Sequence, residues 1–206
     1  MRDFAVKHGA CELLLIRHAE AEHPEHGATL EPKDVDMPLS AHGRAQAESL
    51  AARLARRDLR ALYASPLQRT HETARYVGER TGLAIVPEPR LREVEIAGVG
   101  PVALHDLAEI ALARGGWSHL PGTESSAAIR ARMRDAVDEV AARHAGERVA
   151  LVSHAGAINA YVSMLLGLSG DFFFPAGNTS ITVVRARAER RLVVTLNDTA
   201  HLEYAR

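Results

Sequence analysis

The stretch that decides the fold is Leu13-Leu14-Leu15-Ile16-Arg17-His18. Four consecutive apolar residues, too few for a helix and bounded by charge, read as a strand buried on both faces, the kind found inside a parallel sheet. The run ends in a cation and a histidine, and the same grammar recurs downstream. Leu62-Tyr63-Ala64 runs into Ser65-Pro66-Leu67-Gln68-Arg69, and Val149-Ala150-Leu151-Val152 runs into Ser153-His154-Ala155-Gly156. In open parallel sheets ligands bind outside the carboxyl ends of the strands, so these three ends are expected to converge on one crevice holding Arg17, His18, Arg69 and His154. Two guanidiniums offer forked donors matched to phosphate oxygens. A helix beginning near Pro66 adds backbone N–H groups and a positive dipole end. Such a crevice suits a phosphoryl group.

Outward from these strands, short apolar runs alternate with segments of helical period. Residues 1–10 read as a loose lead-in, and Glu20 to Pro38 as a long polar loop. From Ser40 to about Arg57, Ala47, Leu50, Ala51 and Leu54 trace one apolar helix face. Arg60 to Ala64 gives a brief strand. Ser65 as cap, Pro66 at the first helical position and Gln68 completing a capping box then start a helix that runs to about Arg80 and stops at Gly82. Leu83 to Val86 is a third strand bounded by Pro87 and Pro89. Glycines interrupt the region from Leu91 to Pro121 around a helix near Val102 to Ala113. After Pro121-Gly122, Ile129, Met133, Ala136, Val137 and Val140 carry a long helix. Val149 to Val152 is a fourth strand, Ala157 to Leu166 a helix ending near Gly167, and Ser180 to Val184 with Leu192 to Leu196 a closing hairpin. The pattern predicts a single α/β domain over residues 1–206, a three-layer α/β/α sandwich with a mostly parallel central sheet.

Composition excludes several functions. The chain has 206 residues, with 25 Lys plus Arg against 26 Asp plus Glu and a formal net charge of -1, which argues against a broadly cationic face for nucleic acid or membrane. Aromatic residues make up 4%, too few for a base-stacking platform. No apolar run reaches the length of a bilayer span or a signal-peptide core. A lone Cys11 allows no internal disulfide and no thiolate cluster, in keeping with the cytoplasm. Among the basic residues only Lys7 and Lys33 are lysines. An isolated arginine therefore carries little weight in this chain, and position must decide.

Position brings in a family. Leu14-Leu15-Ile16-Arg17-His18-Ala19-Glu20 resembles the Arg-His-Gly motif of the histidine phosphatase superfamily, also called the phosphoglycerate mutase-like family, and four further blocks are similar in order. They are Asp36-Met37-Pro38-Leu39-Ser40 through Gly43, Gln46 and Ala47; Ser65-Pro66-Leu67-Gln68-Arg69 through Thr73-Ala74; Gly122-Thr123-Glu124-Ser125; and Val152-Ser153-His154-Ala155-Gly156. The resemblance covers about residue 13 to residue 184. It implies a metal-independent and cofactor-free phosphatase that hydrolyses a small phosphomonoester. His18 is then the nucleophile, forming phosphohistidine as neutral imidazole, and Arg17, Arg69 and His154 bind phosphate, with His154 also catalytic. A loose phosphoryl-transfer transition state needs charge stabilisation and in-line positioning more than covalent help, which these cations supply. The family's proton donor is a Glu after the third strand, a position that falls on Glu93, with Glu95 as rival.

The chain departs from the family pattern in places. Ala19 stands where Gly is usual, Ala21 and Pro24 where many members carry Thr and Asn, and Ile96-Ala97-Gly98-Val99-Gly100-Pro101 replaces the usual tail after the acid. Rival functions are a cofactor-dependent phosphoglycerate mutase, a phosphohistidine-protein phosphatase, and a phospho-ligand-binding module that has lost its acid. Glu22, His23 and His26 match no established zinc spacing. His8, His42, His71, His105, His119, His144 and His201 read as surface or satisfied core residues. Asn178-Thr179-Ser180 reads as a turn entering a late strand near the pocket. Substrate choice is assigned to the loop from Glu20 to Pro38 and the segment from Gly98 to Gly122; the oligomeric state, a dimer included, stays open.

Overall fold

The apolar run at Leu13 is the middle of strand β1, Cys11–Arg17, in a computed structural model that describes residues 5–22, 36–95, 113 and 122–203. Its side chains alternate between two cores, as a strand covered on both faces must. Leu13 and Leu15 pack with Ile129, Met133, Val137, Val140 and Tyr161, while Leu14 and Ile16 pack with Leu50, Leu54, Ala74 and Val77. This two-sided burial is why the run is continuously apolar.

Strand β2, Ala61–Ala64, and strand β3, Ile85–Pro87, lie to one side of β1, with β4, Arg148–Ser153, between β1 and β2. These four strands run parallel. Strand β5, Ile181–Arg187, pairs antiparallel with β1, and β6, Arg190–Asp198, antiparallel with β5, giving the order β3-β2-β4-β1-β5-β6. Helices α1, Ala41–Leu54, and α2, Gln68–Thr81, supply one outer layer; α3, Ser126–Arg143, and α4, Ala155–Leu165, the other; a short α5, Ala200–Glu203, follows β6. The three-layer α/β/α sandwich with a mostly parallel centre is present, and the bounds of every strand expected from the sequence are found within three residues. Within the lead-in, Val6–His8 forms a 3-10 turn closed by Gly9 at φ 86°. All but the last residue of the helix expected near Val102 to Ala113, His23 and His26 of the metal-ligand rival, and most of both substrate-choosing segments lie outside the described residues. Among the described residues no helix is long and apolar enough to cross a membrane.

The start of α2 corrects the sequence expectation. The helix begins at Gln68 with Leu67 as its N-cap residue in an extended conformation, so Pro66 lies outside it and no capping box forms. Asp36 receives the Gln68 N–H at 2.5 Å instead, and the Ser65 hydroxyl is drawn toward His154. A buried imidazole offers that hydroxyl a stronger partner than a helix end whose N–H a carboxylate already takes. Helix α1 buries the expected face of Ala47, Leu50, Ala51 and Leu54 and ends at Leu54, three residues before the expected Arg57; Ser40 caps its start, accepting from the Gly43 N–H at 2.9 Å.

Gly43 matters beyond the cap. A Cβ built there would lie 1.9 Å from the carbonyl oxygen of Glu20, so only glycine lets α1 press against the backbone two residues beyond His18. We predict that Gly43→Ala destabilises the protein by about 1–3 kcal/mol, the usual range for forcing backbone apart in a packed site. Urea denaturation measures it, and a change within about 0.5 kcal/mol would mean that Glu20 yields freely.

Candidate active site

The ends of β1, β2 and β4 meet because β4 lies between the other two. Its last carbonyls accept from both neighbours: Val152 from the Ser65 N–H at 3.0 Å and Ser153 from the His18 N–H at 2.9 Å. His18 and His154, each the first residue past its strand, are thereby brought into contact, with ring centroids 5.1 Å apart and planes inclined at 61°. Arg69, in the first turn of α2, closes the group with its Nε donating to Nε2 of His18 at 3.2 Å.

Hydrogen bonding fixes the state of the His18 ring. Nδ1 lies 2.7 Å from the carbonyl oxygen of Ala19, which can only accept, so Nδ1 carries the proton. Nε2 faces Arg69 Nε, which can only donate, and so holds the lone pair. The backbone is pinned as firmly. The His18 carbonyl accepts from Asn178 Nδ2 at 3.1 Å and from the Thr179 N–H at 3.3 Å, and the Ala19 N–H donates to Thr73 Oγ1 at 3.0 Å. The expected turn at Asn178 is therefore at the pocket. It works through the backbone of His18.

The two guanidiniums are largely buried. Arg17 donates from Nη1 to the carbonyl oxygen of Ala176 at 2.6 Å, while its Nε is buried without a partner among the described residues. Burial lowers the pKa of both Arg17 and Arg69 from the ordinary arginine value, and the nearby Glu93 carboxylate opposes that shift in both. His154 is fully buried. Burial first, with the guanidiniums of Arg69, Arg132 and Arg17 adding to it, holds it well below the usual histidine range, so its ring is neutral near pH 7. Ser65 Oγ sits 2.9 Å from its Nε2, and Nδ1 is buried without a partner among the described residues.

Glu93 is half-buried and hydrogen-bonds to the start of α4: its carboxylate accepts from the Gly156 N–H at 3.1 Å, the Ala157 N–H at 3.0 Å and the Val94 N–H at 3.0 Å. Glu95, its rival, is exposed. The sequence argument assigned a helix end at this crevice to α2. The helix end in contact with the pocket carboxylate is that of α4, whose N-cap residue is His154.

A sequence model of the histidine phosphatase superfamily (branch 1) matches residues 13–199. The chain belongs to that superfamily. It is 33% identical over 202 residues to phosphoserine phosphatase 1 of Hydrogenobacter thermophilus, covering 93% of this chain and 94% of that protein. It is 30% identical over 213 residues to a probable phosphoglycerate mutase of Yersinia enterocolitica, covering 93% and 95% respectively. Among solved structures, a mycobacterial glucosyl-3-phosphoglycerate phosphatase complexed with VO3 superposes with a TM-score of 0.75 at 28% identity, over 90% of this chain and 98% of that one.

For a histidine phosphatase this crevice holds all of Arg17, His18, Arg69, His154 and Glu93 that the sequence singled out. Sequence reasoning missed Ser65 as the partner of His154, and Thr73 as the support of residue 19. Thr73 was legible as part of its block, though only as a motif letter. His201, read as a surface or satisfied core residue, is the latter: Arg53 donates to its Nδ1 at 3.3 Å, so Nε2 carries the proton and donates to Thr179 Oγ1 at 3.0 Å, beneath the Asn178-Thr179 turn. His144 is satisfied by Tyr63 and Glu147, whereas His8, His42 and His71 are exposed. His105 and His119 lie outside the described residues.

Burial, aided by the Arg53 cation and opposed by Asp198, lowers the His201 pKa from 6.5 to about 4. Between those values the unfolded chain binds a proton at this residue that the native chain does not, so its contribution to stability is constant above pH 6.5 and falls as the pH drops toward 4. His154 acts in the same direction. The unfolding midpoint in urea should therefore decline from pH 7 to pH 5, before the carboxylates Glu12, Glu88 and Asp198, whose native pKa values are lowered, lose their contribution. His201→Gln, which keeps one donor and one acceptor, should flatten that decline; an unchanged slope would remove His201 from the account.

Proposed function

We propose that this histidine phosphatase hydrolyses a small phosphomonoester without a metal, through a phosphohistidine formed at Nε2 of His18. The observation that carries the reading is the fixed tautomer of His18, whose lone pair is turned toward Arg69 in a crevice shared with His154. Two buried donor positions without a partner among the described residues, Arg17 Nε and His154 Nδ1, support it, since a phosphoryl group would satisfy both. Ser65 Oγ accepts from the Leu67 N–H at 3.4 Å and can give its own proton to His154 Nε2, which makes neutral His154 a donor at Nδ1.

Binding of the phosphate neutralises Arg17 and Arg69 and lets Glu93 take up a proton; in the first step Nε2 of His18 then attacks phosphorus, the P–O bond to the alcohol breaks, and Glu93 gives that proton to the departing oxygen. In the second, the Glu93 carboxylate takes a proton from water, the water oxygen bonds to phosphorus, and the N–P bond breaks. Inorganic phosphate leaves, and His18 and Glu93 return to their starting states. Arg17 and Arg69 neutralise the charge on the equatorial oxygens in both steps. Glu93 is preferred to Glu95 because it is half-buried and acts electrostatically on both arginines, whereas Glu95 is exposed. O-phosphoserine is the first ester to test, after the relative named for it, with phosphorylated glycerates next. Buried Cys11, whose thiol burial pushes up to about 12, supports placement of the enzyme in the reducing cytoplasm.

A panel of phosphomonoesters assayed with excess chelator should show phosphate release, with an acid-labile phosphoenzyme trapped by rapid quench. We predict that His18→Ala lowers release by about 10⁴-fold or more and removes the phosphoenzyme. Glu93→Gln should cost about 10²–10⁴-fold on esters with basic leaving groups, and Glu95→Gln little. Release that survives His18→Ala would overturn the phosphohistidine route. Isomerisation dependent on a bisphosphorylated primer would identify a mutase.

A further inference from the structure

The segment carrying Glu93 is held by a device outside the phosphate pocket. Arg132, in α3, donates from Nη1 to the carbonyl oxygens of Arg90 and Arg92, each at 2.7 Å, and from Nη2 to the carbonyl oxygen of Glu93 at 3.1 Å. Its Nε and Nη2 also form a bidentate pair with Glu124, each contact 2.7 Å. All five N–H donors of one guanidinium are thereby used. Glu124 then reaches the far side of the segment, its backbone N–H donating to the Glu95 carbonyl oxygen at 2.8 Å. Ser153, one residue before His154, donates to the Leu91 carbonyl at 2.7 Å.

The carbonyls of residues 90, 91, 92, 93 and 95 are thus each tied to α3, its lead-in or the end of β4. This is unusual treatment for a stretch with little regular structure of its own. Surface loops ordinarily give such carbonyls to water and gain mobility by it. Here mobility is removed around one carboxylate. Bidentate pairing with Glu124 fixes the guanidinium plane, and the remaining edge of that plane grips the backbone.

We propose that Arg132 and Glu124 form a positioning clamp for the proton donor: they set the place of the Glu93 carboxyl against the leaving oxygen and touch neither phosphate nor substrate. The proposal rests on the assignment of Glu93 as acid. The clamp acts on the step that needs a donated proton, and that step becomes less demanding as the leaving group becomes less basic. Lysine cannot replace Arg132, because three donors on a point charge cannot hold a carboxylate pair and three carbonyls in one plane.

Phenyl phosphate and p-nitrophenyl phosphate test it, being alike in shape but different in the basicity of the departing phenolate. kcat/KM is measured for both with wild type, R132K, E124Q and E93Q, together with inhibition by vanadate as a probe of the phosphate pocket. The expected result is that R132K loses about 10- to 100-fold more on phenyl phosphate than on p-nitrophenyl phosphate, copying E93Q, with vanadate inhibition within about threefold of wild type. E124Q, which keeps the arginine and its carbonyl contacts, shows the same preference at smaller size and carries the comparison if R132K does not fold. Equal losses on both esters in R132K and E124Q while E93Q discriminates would overturn the clamp and leave the acid assignment standing. Equal losses in E93Q itself would overturn the acid assignment, and the clamp with it.

Discussion

Two backbone hydrogen bonds at the carboxyl end of β4 hold the site in register. Val152 O accepts from Ser65 and Ser153 O accepts from His18, so one strand end suspends both neighbouring junctions. Leu13 through Arg17 pair in parallel with Val149 through Ser153, and Ala61 through Ala64 with Val149 through Val152. A slip of one residue in either pairing would turn every side chain to the opposite face. The two-sided core forbids that slip, because Leu13 and Leu15 belong to one layer and Leu14 and Ile16 to the other. Packing of aliphatic side chains far from the chemistry is thus what puts two imidazoles 5.1 Å apart.

That placement carries an electrostatic cost. Two guanidiniums and two imidazoles share a buried space, and Glu93 is the carboxylate that acts on both arginines. Elsewhere this arginine-rich chain buries charge differently. Glu12 lies between Arg148 and Arg185, Arg130 holds Asp171 and three further acceptors, and Arg53 pairs with Asp198. Those are closed ion pairs that pin elements together. Arg17 is different in kind, tied to one backbone carbonyl with Nε buried and, among the described residues, unpartnered. In a chain where arginine is abundant, incomplete pairing is what marks Arg17 out as the proposed binding cation.

The architecture was legible because it follows from continuous apolar runs and from one helical face per helix, both properties of adjacent residues. Arg17, His18 and His154 were legible for the same reason, since each stands one step past or at the end of a buried strand. Ser65 was misread because a serine before Pro-Leu-Gln looks the same locally whether it caps a helix or serves a histidine 89 positions away. The capping role had already gone to Asp36, across 32 positions of chain. Arg132 left no local sign at all. Its acceptors are mainly backbone carbonyls, and carbonyls have no letter in a sequence.

The exchange of roles between α2 and α4 has one further consequence. Any strand-to-helix junction at the carboxyl edge of a parallel sheet points a positive helix end toward the crevice, which is why the sequence favoured α2 as an anion site. At both junctions a carboxylate from elsewhere accepts from the helix start, Asp36 from one N–H, that of Gln68, and Glu93 from those of Gly156 and Ala157. Helix dipoles are therefore spent on holding carboxylates, one of which is the assigned acid. In the proposed function anion recognition then falls to Arg17, Arg69 and His154 around the His18 nucleophile, and strand register sets the places of Arg17, His18 and His154. On that reading phosphate is held by side chains that can be removed one at a time, while the proposed acid is held by backbone groups that cannot.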